Sequence, residues 1–153
     1  MEGSMDKEKM ILFMGIQASG KTTLYHKQFH EYVHINLDTL HTRNKEKIAI
    51  EECLAHRKSM VIDNTNPTRM DRARYISFAR AHGYQVIGYF FQSRVADCIT
   101  RNEKREKKAH VPRTAIAATS NKLELPDYEE GFDMLYFVHI EQGQMVIEEW
   151  IES

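Results

Sequence analysis

The sequence lacks the features of secreted, membrane-spanning and generally basic proteins. Its two cysteines, Cys53 and Cys98, are too few for a framework of several disulfides, and both lie in helix-like segments. No apolar run approaches the ~18 residues of a membrane span. The first ten residues contain acids and have no apolar core, unlike a secretory signal. The formal net charge of -1 excludes a surface that is basic throughout. These absences predict a soluble, cytoplasmic protein with reduced cysteines and no membrane partner.

What the sequence does contain fits one domain of ordinary size. The chain has 153 residues, of which 42% are hydrophobic and 28% are charged, and this balance can build a continuous core. No repeat, low-complexity tract or linker divides it. We therefore expect an N-terminal tail over residues 1–9, in which Met5 suggests that residues 1–4 are a cloning remnant, and a single domain over residues 10–153.

Short apolar runs alternate with helical patterns along the chain. The predicted strands are Met10–Met14, Tyr32–Leu37, Ser59–Asp63, Gln85–Phe91, Leu135–Ile140 and Met145–Trp150. The predicted helices are Thr22–Phe29, Lys45–Arg57, one that starts with Asn66 as cap and Pro67 and ends at Gly83, Ser93 to about Lys107, and one from Val111-Pro112 to about Leu123. The last two strands join as a hairpin across Gln142-Gly143. This alternation predicts an α/β three-layer sandwich with a mainly parallel sheet.

A phosphate-binding pattern follows the first predicted strand. The segment Gly15–Thr22 (GIQASGKT) matches G-x-x-x-x-G-K-[ST], in which glycines let the backbone wrap around phosphate oxygens and N–H groups at a helix N-terminus supply positive potential. Lys21 has the length to reach the β- and γ-phosphates, and the Thr22 hydroxyl is suited to Mg²⁺. The residues expected at the phosphates of ATP are Gly15, Ala18, Ser19, Gly20, Lys21, Thr22 and Thr23. The strand before the motif and the helix after it favour nucleotide binding over a chance match.

Two acids follow predicted strands, at the edge where open α/β sheets bind ligands. Asp38 comes just after the second strand. It can accept the proton of an attacking hydroxyl or cap the following helix, and its position alone favours neither role. Asp63 ends the third strand and precedes Asn64-Thr65-Asn66. An acid at this place organises Mg²⁺ through water in phosphate-loop enzymes, and a turn-forming role is the alternative.

The segment from Arg101 to Arg113 is rich in Lys and Arg. Arg101 and Arg105 are spaced i,i+4 and are expected on one helix face, and residues Glu106 to His110 have the composition of a mobile, solvated connection. A helix–loop–helix of this kind can close over ATP as a lid, since the arginine fork pairs with two phosphate oxygens. The alternative is a solvated charged helix, and the presence of a phosphate loop favours the lid.

Together these residues resemble the P-loop polynucleotide 5′-hydroxyl kinases, namely the kinase domains of the phage enzyme and of the animal DNA-repair kinase/phosphatase. The resemblance extends from about Met10 to His139. Its specific blocks are HINLDTL (His34–Leu40), VIDNTNPTRMDRARY (Val61–Tyr75), TRNEKREKKAHVP (Thr100–Pro112) and EGFDMLYFVHI (Glu130–Ile140). No phosphatase D-x-D-G-T segment is present.

The resemblance implies a kinase that uses ATP and Mg²⁺, and it implies a role for each matching residue. Lys21 and Thr22 correspond to the residues that hold the ATP phosphates and the metal. Asp38 corresponds to the general base, which favours this role over the helix cap. Arg101 and Arg105 correspond to lid arginines that contact the donor and transferring phosphates.

Two positions depart from the family pattern and affect how the acceptor is recognised. Leu37 stands where the family often has an arginine before the catalytic aspartate, and His41 stands where the phage enzyme has an arginine for the acceptor phosphate. We expect His41, Arg69 and Arg72 to bind the acceptor, since Arg69 and Arg72 are spaced i,i+3 on one helix and can line one groove. A solvated helix face is the alternative for both arginines. The other arginines expected near this edge are Arg43 and Arg74.

Three functions remain open on the sequence alone. The first is a kinase that phosphorylates the 5′-hydroxyl of DNA or RNA. The second is a kinase with the same machinery that acts on a small molecule, such as a sugar, a nucleoside or a nucleotide-sugar. The third is a nucleotide-dependent regulatory module without an acceptor, and Asp38 argues against it because a pure switch needs no base at that position. The sequence indicates no oligomeric state.

Overall fold

The computed structural model describes residues 7–105 and 111–151. The strands form one sheet and are β1 (Lys9–Met14), β2 (Val33–Ile35), β3 (Met60–Ile62), β4 (Gln85–Phe91), β5 (Met134–Glu141) and β6 (Gln144–Glu149). Their order across the six-stranded sheet is β2-β3-β1-β4-β5-β6. Neighbouring strands are parallel except β5 and β6, which pair antiparallel. Because β1 lies between β3 and β4, the loop after β1 opens where the chain changes direction across the sheet, a place where α/β folds bind ligands.

Helices cover both faces of this sheet. They are α1 (Lys21–Gln28), α2 (Leu37–Leu40), α3 (Arg43–Ala55), α4 (Arg69–Ala81), α5 (Val95–Glu103) and α6 (Arg113–Lys122). Side chains of β1 alternate between two cores because successive strand residues point to opposite faces. Met10, Leu12 and Met14 pack with α3 and α4. Ile11 and Phe13 pack with α1 on the other face. The prediction of a three-layer α/β sandwich with a mainly parallel sheet is confirmed.

A third, smaller core joins the loop after β1 to α5 and α6. Ile16 and Ala18 pack with Cys98 of α5 and Ile116 of α6, and all four side chains are buried. Cys98 and Cys53 are both free, and burial raises the pKa of each thiol. The two cysteines therefore act as small apolar side chains of the interior.

Gly88 in β4 lies where three neighbouring side chains leave no room. A Cβ at this position would lie 2.7 Å from Leu135 Cδ2, 2.7 Å from Phe132 Cε1 and 2.9 Å from Met14 Cε. Contacts this short do not occur between real carbon atoms, so the core requires glycine here in the middle of a strand.

The helix after β3 begins later than the sequence pattern predicts. Its N-cap is Thr68, whose side chain accepts a hydrogen bond from a backbone N–H of the first turn, so the expected start at Asn66 and Pro67 is wrong. Asn66 is instead buried, adopts a φ of 43°, and donates from Nδ2 to Phe13 O at 2.7 Å. A cap and a buried loop asparagine have the same local sequence signature, and the contact with β1 decides between them.

The second strand and the fifth helix are also shorter than expected. Only Val33–Ile35 pairs with β3, and Leu37 already belongs to α2. Helix α5 does not begin at Ser93, because the Ser93 hydroxyl accepts a hydrogen bond from Ile16 N (3.1 Å) and donates to Phe91 O (2.8 Å). The helix ends at Glu103, and the connection predicted over residues 106–110 lies outside the described residues.

The C-terminal hairpin is confirmed. Gln142 and Gly143 have φ values of 51° and 75°, and positive φ at both central residues is what a tight turn between antiparallel strands requires. Across residues 7–105 and 111–151, none of the helices has the length and apolar character needed to cross a membrane.

Candidate active site

The predicted phosphate loop connects β1 to α1, and neighbouring segments hold its backbone. Gly15 N donates to Thr65 O at 3.0 Å. Ile16 N donates to the Ser93 hydroxyl at 3.1 Å. These bonds tie the start of the loop to the segments that follow β3 and β4. The loop is thus shaped before any ligand binds.

Positive φ angles give the loop its curvature. Gly15 and Gly20 have φ values of 155° and 106°, and a Cβ on Gly15 would lie 3.0 Å from Phe91 Cβ. Glycine is required at Gly15 by conformation and by space. Ala18 adopts a φ of 63°, a left-handed conformation that costs a non-glycine residue ~1 kcal/mol or more. Such strain is typical of backbone that is held in place for function.

The ammonium group of Lys21 is held inside this loop. Its Nζ donates to Gly15 O (3.0 Å), Ile16 O (2.7 Å) and Ser19 Oγ (3.4 Å). Lys21 is 8% exposed. The positive charge is therefore in place at the loop, and three oxygen atoms of the protein accept its hydrogen bonds.

Burial lowers the pKa of Lys21 from 10.5 to about 8. The cause is loss of hydration, which disfavours the charged form of an amine. The carboxylates of Asp63 and Asp38 raise this pKa and the guanidinium of Arg105 lowers it. Lys21 thus lies within electrostatic reach of both predicted acids and of one predicted lid arginine.

Two oxygen ligands suited to a metal lie at the carboxyl edge of the sheet. Thr22 Oγ1 donates to Asp63 Oδ2 at 2.9 Å, and His34 Nε2 is 2.8 Å from the same oxygen. Asp63 is 2% exposed, and the His34 ring stacks on Tyr25 with centroids 3.9 Å apart. A hydroxyl and a carboxylate are the hard oxygen ligands that Mg²⁺ prefers. Thr22 and Asp63 therefore fit the expected metal.

Asp38 lies on the short helix α2 and is exposed. The N-cap of this helix is Asn36, whose Oδ1 accepts a hydrogen bond from Thr39 N at 3.3 Å. The next helix, α3, is capped by Thr42. The alternative role of Asp38 as a helix cap is therefore wrong, and its carboxylate remains available to a ligand at the sheet edge.

The predicted lid arginines both line a cavity beside the phosphate loop. Arg101 Nε donates to Ala18 O at 2.8 Å, and its Nη2 donates to Cys98 Sγ at 3.3 Å. Arg105 follows the end of α5 rather than sharing a helix face with Arg101. The cavity has a volume of about 350 Å³ and is lined by Ala18, Gly20, Thr23, Lys27, Arg101, Lys104, Arg105, Ile140, Gly143 and Met145. Basic side chains and the loop backbone therefore surround one space next to Lys21.

The structure gives the three residues expected at the acceptor different surroundings. Arg69 is exposed at the start of α4, 3.8 Å from both Asp127 and Glu130. His41 is exposed directly after α2, with a φ of 74°. Arg72 is 0% exposed, so the expectation that it lines an open groove with Arg69 is wrong.

Arg72 is buried because the loop before α4 and the chain after α6 both supply acceptors for its guanidinium. Its guanidinium donates to Glu130 Oε1 (2.9 Å) and Oε2 (3.1 Å). It also donates to Asn66 O and Glu124 O, each at 3.1 Å. A spacing of i,i+3 places two residues on one side of a helix, but it does not indicate which tertiary partners face that side.

A polar cluster beside Asp38 was not identified from the sequence. Glu46 of α3 is 2% exposed, and its carboxylate accepts hydrogen bonds from Arg43, Asn64, Arg74 and Tyr75. The sequence did carry one signal for it. Glu46 lies four residues before Ile50, on the apolar face of α3, where a charged side chain must find partners when it is buried.

Comparison with known proteins places this site in a family. A family model described as an AAA domain matches residues 10–126. The bifunctional polynucleotide phosphatase/kinase of Schizosaccharomyces pombe is 31% identical over 134 residues, which are 83% of this chain and 32% of the relative. The putative bifunctional polynucleotide phosphatase/kinase of Acanthamoeba polyphaga mimivirus is 30% identical over 137 residues, 84% of this chain and 32% of the relative. The chain thus spans about a third of the length of these relatives.

A solved structure shows the same fold at lower identity. The gluconokinase from Sinorhizobium meliloti 1021 superposes with a TM-score of 0.63 and 20% identity, and the match covers 88% of this chain and 83% of that chain. The two curated relatives confirm the resemblance to polynucleotide kinases that the sequence motifs indicate. Since the AAA domain model spans residues 10–126, from β1 through the predicted phosphate loop to the end of α6 and beyond, this chain belongs to the AAA domain family.

Proposed function

We propose that this chain is an ATP-dependent kinase that transfers the γ-phosphoryl group to a hydroxyl, and that the acceptor is the 5′-OH of DNA or RNA. The observation that carries the proposal is the placement of Asp38, an exposed carboxylate that follows β2 at the carboxyl edge of the sheet, the edge at which the phosphate loop follows β1. Asn36 caps α2, so Asp38 has no capping role to explain its presence. The names of the two curated relatives support a polynucleotide as the acceptor.

The cavity beside the phosphate loop is the proposed site of ATP. Its volume of about 350 Å³ falls within the range of small-molecule sites, ~300–1,000 Å³. The apolar side chains of Ile140 and Met145 line it together with Arg101 and Arg105. The apolar atoms suit a nucleobase, and the guanidinium groups and the N–H groups at the start of α1 suit the phosphates.

The residues proposed to surround ATP act on the negative charge of its phosphates. Lys21 donates to phosphate oxygens in place of the carbonyl oxygens that it contacts in the free protein. Mg²⁺, when bound, neutralises charge on the phosphate oxygens, and Thr22 would hold it directly and Asp63 through water. Arg101 and Arg105 stabilise the transferring phosphoryl group from the lid side.

Asp38 acts on the acceptor. Its carboxylate takes the proton of the attacking hydroxyl as the acceptor oxygen bonds to the γ-phosphorus and the bond to the leaving oxygen of ADP breaks. The leaving ADP carries away the electron pair of that bond. General-base assistance of this kind contributes ~10²–10⁴ in rate.

Two exposed guanidinium groups are suited to the phosphates of a polynucleotide acceptor. Arg43 Nη1 and Arg74 Nη2 both donate to Glu46 Oε1 at 3.1 Å and to the Tyr75 hydroxyl, at 2.9 Å and 2.8 Å. Two cations thus share the carboxylate of Glu46, which leaves one positive charge in excess within this cluster. We assign the main acceptor-phosphate contacts to this pair, with His41 and Arg69 as further contacts at the same edge.

Phosphoryl transfer from γ-labelled ATP tests the function directly. The acceptors are 5′-hydroxyl DNA and RNA oligonucleotides, a panel of sugars and nucleosides, and 5′-phosphorylated oligonucleotides as the blocked control. We expect label on the 5′-hydroxyl oligonucleotides alone. Label on a sugar or nucleoside with none on oligonucleotides would replace this proposal with a small-molecule kinase, and ATP binding without transfer to any acceptor would replace it with a regulatory module.

The arginine assignment has its own test. Arg43→Ala/Arg74→Ala should raise the KM for the oligonucleotide and reduce the slope of log affinity against log salt by about 1.4, at ~0.7 for each lost contact with a single-strand phosphate. The KM for ATP should not change. Arg57→Ala is the matched control, since Arg57 is also an exposed, ion-paired arginine but pairs with Glu8 before β1, at the opposite end of the strands, and its loss should leave the salt slope unaltered.

A further inference from the structure

We propose that Asn64 and Glu46 position the general base, with Asn64 linking the turn that carries Asp38 to the buried carboxylate of Glu46. The inference rests on the proposed function, since Asp38 is the base only in that mechanism. Neither Asn64 nor Glu46 is placed to touch a substrate atom in this scheme. Both act through the position of Asp38.

Asn64 forms hydrogen bonds to Leu37 in α2 and to the buried carboxylate of Glu46 at the same time. Its Oδ1 accepts a hydrogen bond from Leu37 N at 2.9 Å, and its Nδ2 donates to Glu46 Oε2 at 2.9 Å. Leu37 directly precedes Asp38 and is the first residue of α2, so its N–H has no partner within the helix. A flipped amide would set its NH₂ group against this N–H and its oxygen against the carboxylate. Only one orientation of Asn64 is therefore satisfied.

The carboxylate of Glu46 is held firmly enough to fix the position of Asn64. Its Oε2 also accepts from the Tyr75 hydroxyl at 2.8 Å, and its Oε1 accepts from Arg43 and Arg74, each at 3.1 Å. These partners come from both α3 and α4. Burial of Tyr75, together with its hydrogen bond to Glu46, raises the pKa of the phenol. A buried carboxylate with this many donors cannot leave its position without leaving buried polar groups unpaired.

Helix α2 depends on such links because it has little to hold it otherwise. It is four residues long and contains no buried residue, and a single helical turn is unstable by itself. Asn36 supplies a second link by donating from Nδ2 to Asp63 O at 2.9 Å. The position of the base therefore depends on two polar contacts to the segment after β3, Asp63 and Asn64, together with the partly buried side chain of Leu40.

The position of Asp38 matters because reacting groups must be aligned closely. A displacement of ~1 Å can reduce a catalysed rate by ~10². Glu46 also orients Arg43 and Arg74, the guanidinium groups assigned to the acceptor phosphates. The buried carboxylate of Glu46 thus fixes the positions of Asp38 and of both arginines. Placement of the acceptor and removal of its proton therefore depend on the same residue.

The test reverses which residue of the pair Asn64 and Glu46 carries the amide and which carries the carboxylate. Asn64→Leu and Asn64→Asp should each lower kcat by about 10–100-fold, with the KM for ATP changed by less than about twofold. The first removes the link, and the second sets two carboxylates against each other. In Asn64→Asp/Glu46→Gln the new amide can donate to the new carboxylate, which still accepts from Leu37 N. We expect this double variant to recover about 10-fold of the kcat lost in Asn64→Asp.

A second readout does not depend on activity. Amide hydrogen exchange at Leu37, followed by NMR, should be about 10-fold faster in Asn64→Leu and should slow again in the double variant. Tyr84→Phe is the control for stability. It removes a hydroxyl that donates to Cys53 O (3.1 Å) and Lys58 O (2.9 Å), before β4 at the opposite edge of the sheet, so kcat and Leu37 exchange should stay as in wild type.

Two results would overturn the inference. One is an Asn64→Leu protein with wild-type kcat and wild-type exchange at Leu37. The other is a double variant as slow as Asn64→Asp in catalysis and as fast in exchange. If the wild-type protein phosphorylates no acceptor, the proposed function fails, and the exchange measurements alone still decide whether Asn64 and Glu46 hold the turn.

Discussion

Replacement of Lys21 by methionine should remove both the proposed activity and a pH-dependent cost to stability. Lys21 is buried, and its pKa is lowered from 10.5 to about 8. Between these values the unfolded chain binds more protons at this position than the folded protein does. Stability must therefore rise with pH through this window, and the full cost is present below pH 8. Lys21→Met has no proton to lose, so its stability lacks this contribution.

The size of the effect follows from the pKa values. At ~1.36 kcal/mol for each pKa unit, the shift to about 8 corresponds to a cost of about 3 kcal/mol at pH 7. At pH 9.5 the unfolded lysine has begun to lose its proton, and the remaining cost is about 1 kcal/mol. The wild type should therefore gain about 2 kcal/mol over Lys21→Met between pH 7 and pH 9.5. Methionine cannot make the hydrogen bonds of Lys21 to Gly15 O and Ile16 O, and this loss of stability is present at both pH values. It therefore drops out of the difference between pH 7 and pH 9.5.

Urea unfolding followed by tryptophan fluorescence measures this difference. The single tryptophan, Trp150, contacts Phe90 with ring centroids 5.4 Å apart, so its emission should report loss of the core. Lys21→Arg is the matched control, because a guanidinium keeps its charge over this pH range and this variant should also lack the wild-type gain. Equal pH dependence in wild type and Lys21→Met would refute the argument that burial lowers the pKa of Lys21.

Phosphoryl transfer at saturating ATP and Mg²⁺ should fall by several powers of ten in Lys21→Met, and near-normal turnover would refute the role of Lys21 at the phosphates.

Three further variants test other parts of the structure. Asp38→Asn should lower phosphoryl transfer by ~10²–10⁴ with ATP affinity and melting temperature unchanged, because Asn36 and not Asp38 caps α2; a lower melting temperature with normal turnover per folded molecule would contradict this. Arg72→Ala should lower the free energy of unfolding by ~3–5 kcal/mol, since it removes the buried guanidinium that pairs with the Glu130 carboxylate at 2.9 Å, and a loss under 1 kcal/mol in urea unfolding would speak against the buried pair. Gly88→Ala should cost ~1–3 kcal/mol in the same assay because a methyl group has no room in β4, whereas ATP affinity should be retained.

The sequence by itself determined the fold class and the core of the nucleotide site. Strand β1 is an uninterrupted apolar run because it is buried on both faces, and such a run is visible without a structure. The loop that follows is a local motif in which spacing and conformation are set within Gly15–Thr22, so the pattern predicts its position between β1 and α1. The turn Gln142-Gly143 is local in the same sense, since two adjacent residues supply both positive φ angles.

Element boundaries depended on contacts that the sequence does not display. Asn66 was expected to cap a helix, and its contact with Phe13 in β1 makes it a buried loop residue instead. Ser93 was expected to begin a helix, and its hydroxyl holds Ile16 of the phosphate loop. In both cases a side chain of a type that caps helices instead forms a hydrogen bond with a residue far away in the sequence.

Only the tertiary structure decided which charged residues are exposed and which are buried near the proposed acceptor site. Arg69 and Arg72 have similar local sequence, yet Arg69 is exposed and Arg72 is buried on Glu130, 58 positions away in the chain. Glu46 and Asn64 come from different elements and meet beside Asp38. The physical reason is that phosphate-loop geometry depends on backbone conformation over a few residues, whereas a buried charge depends on where its partner lies in space. Helical spacing can group side chains on one face, and only the packing of α3, α4 and the segment before β5 determines what that face meets.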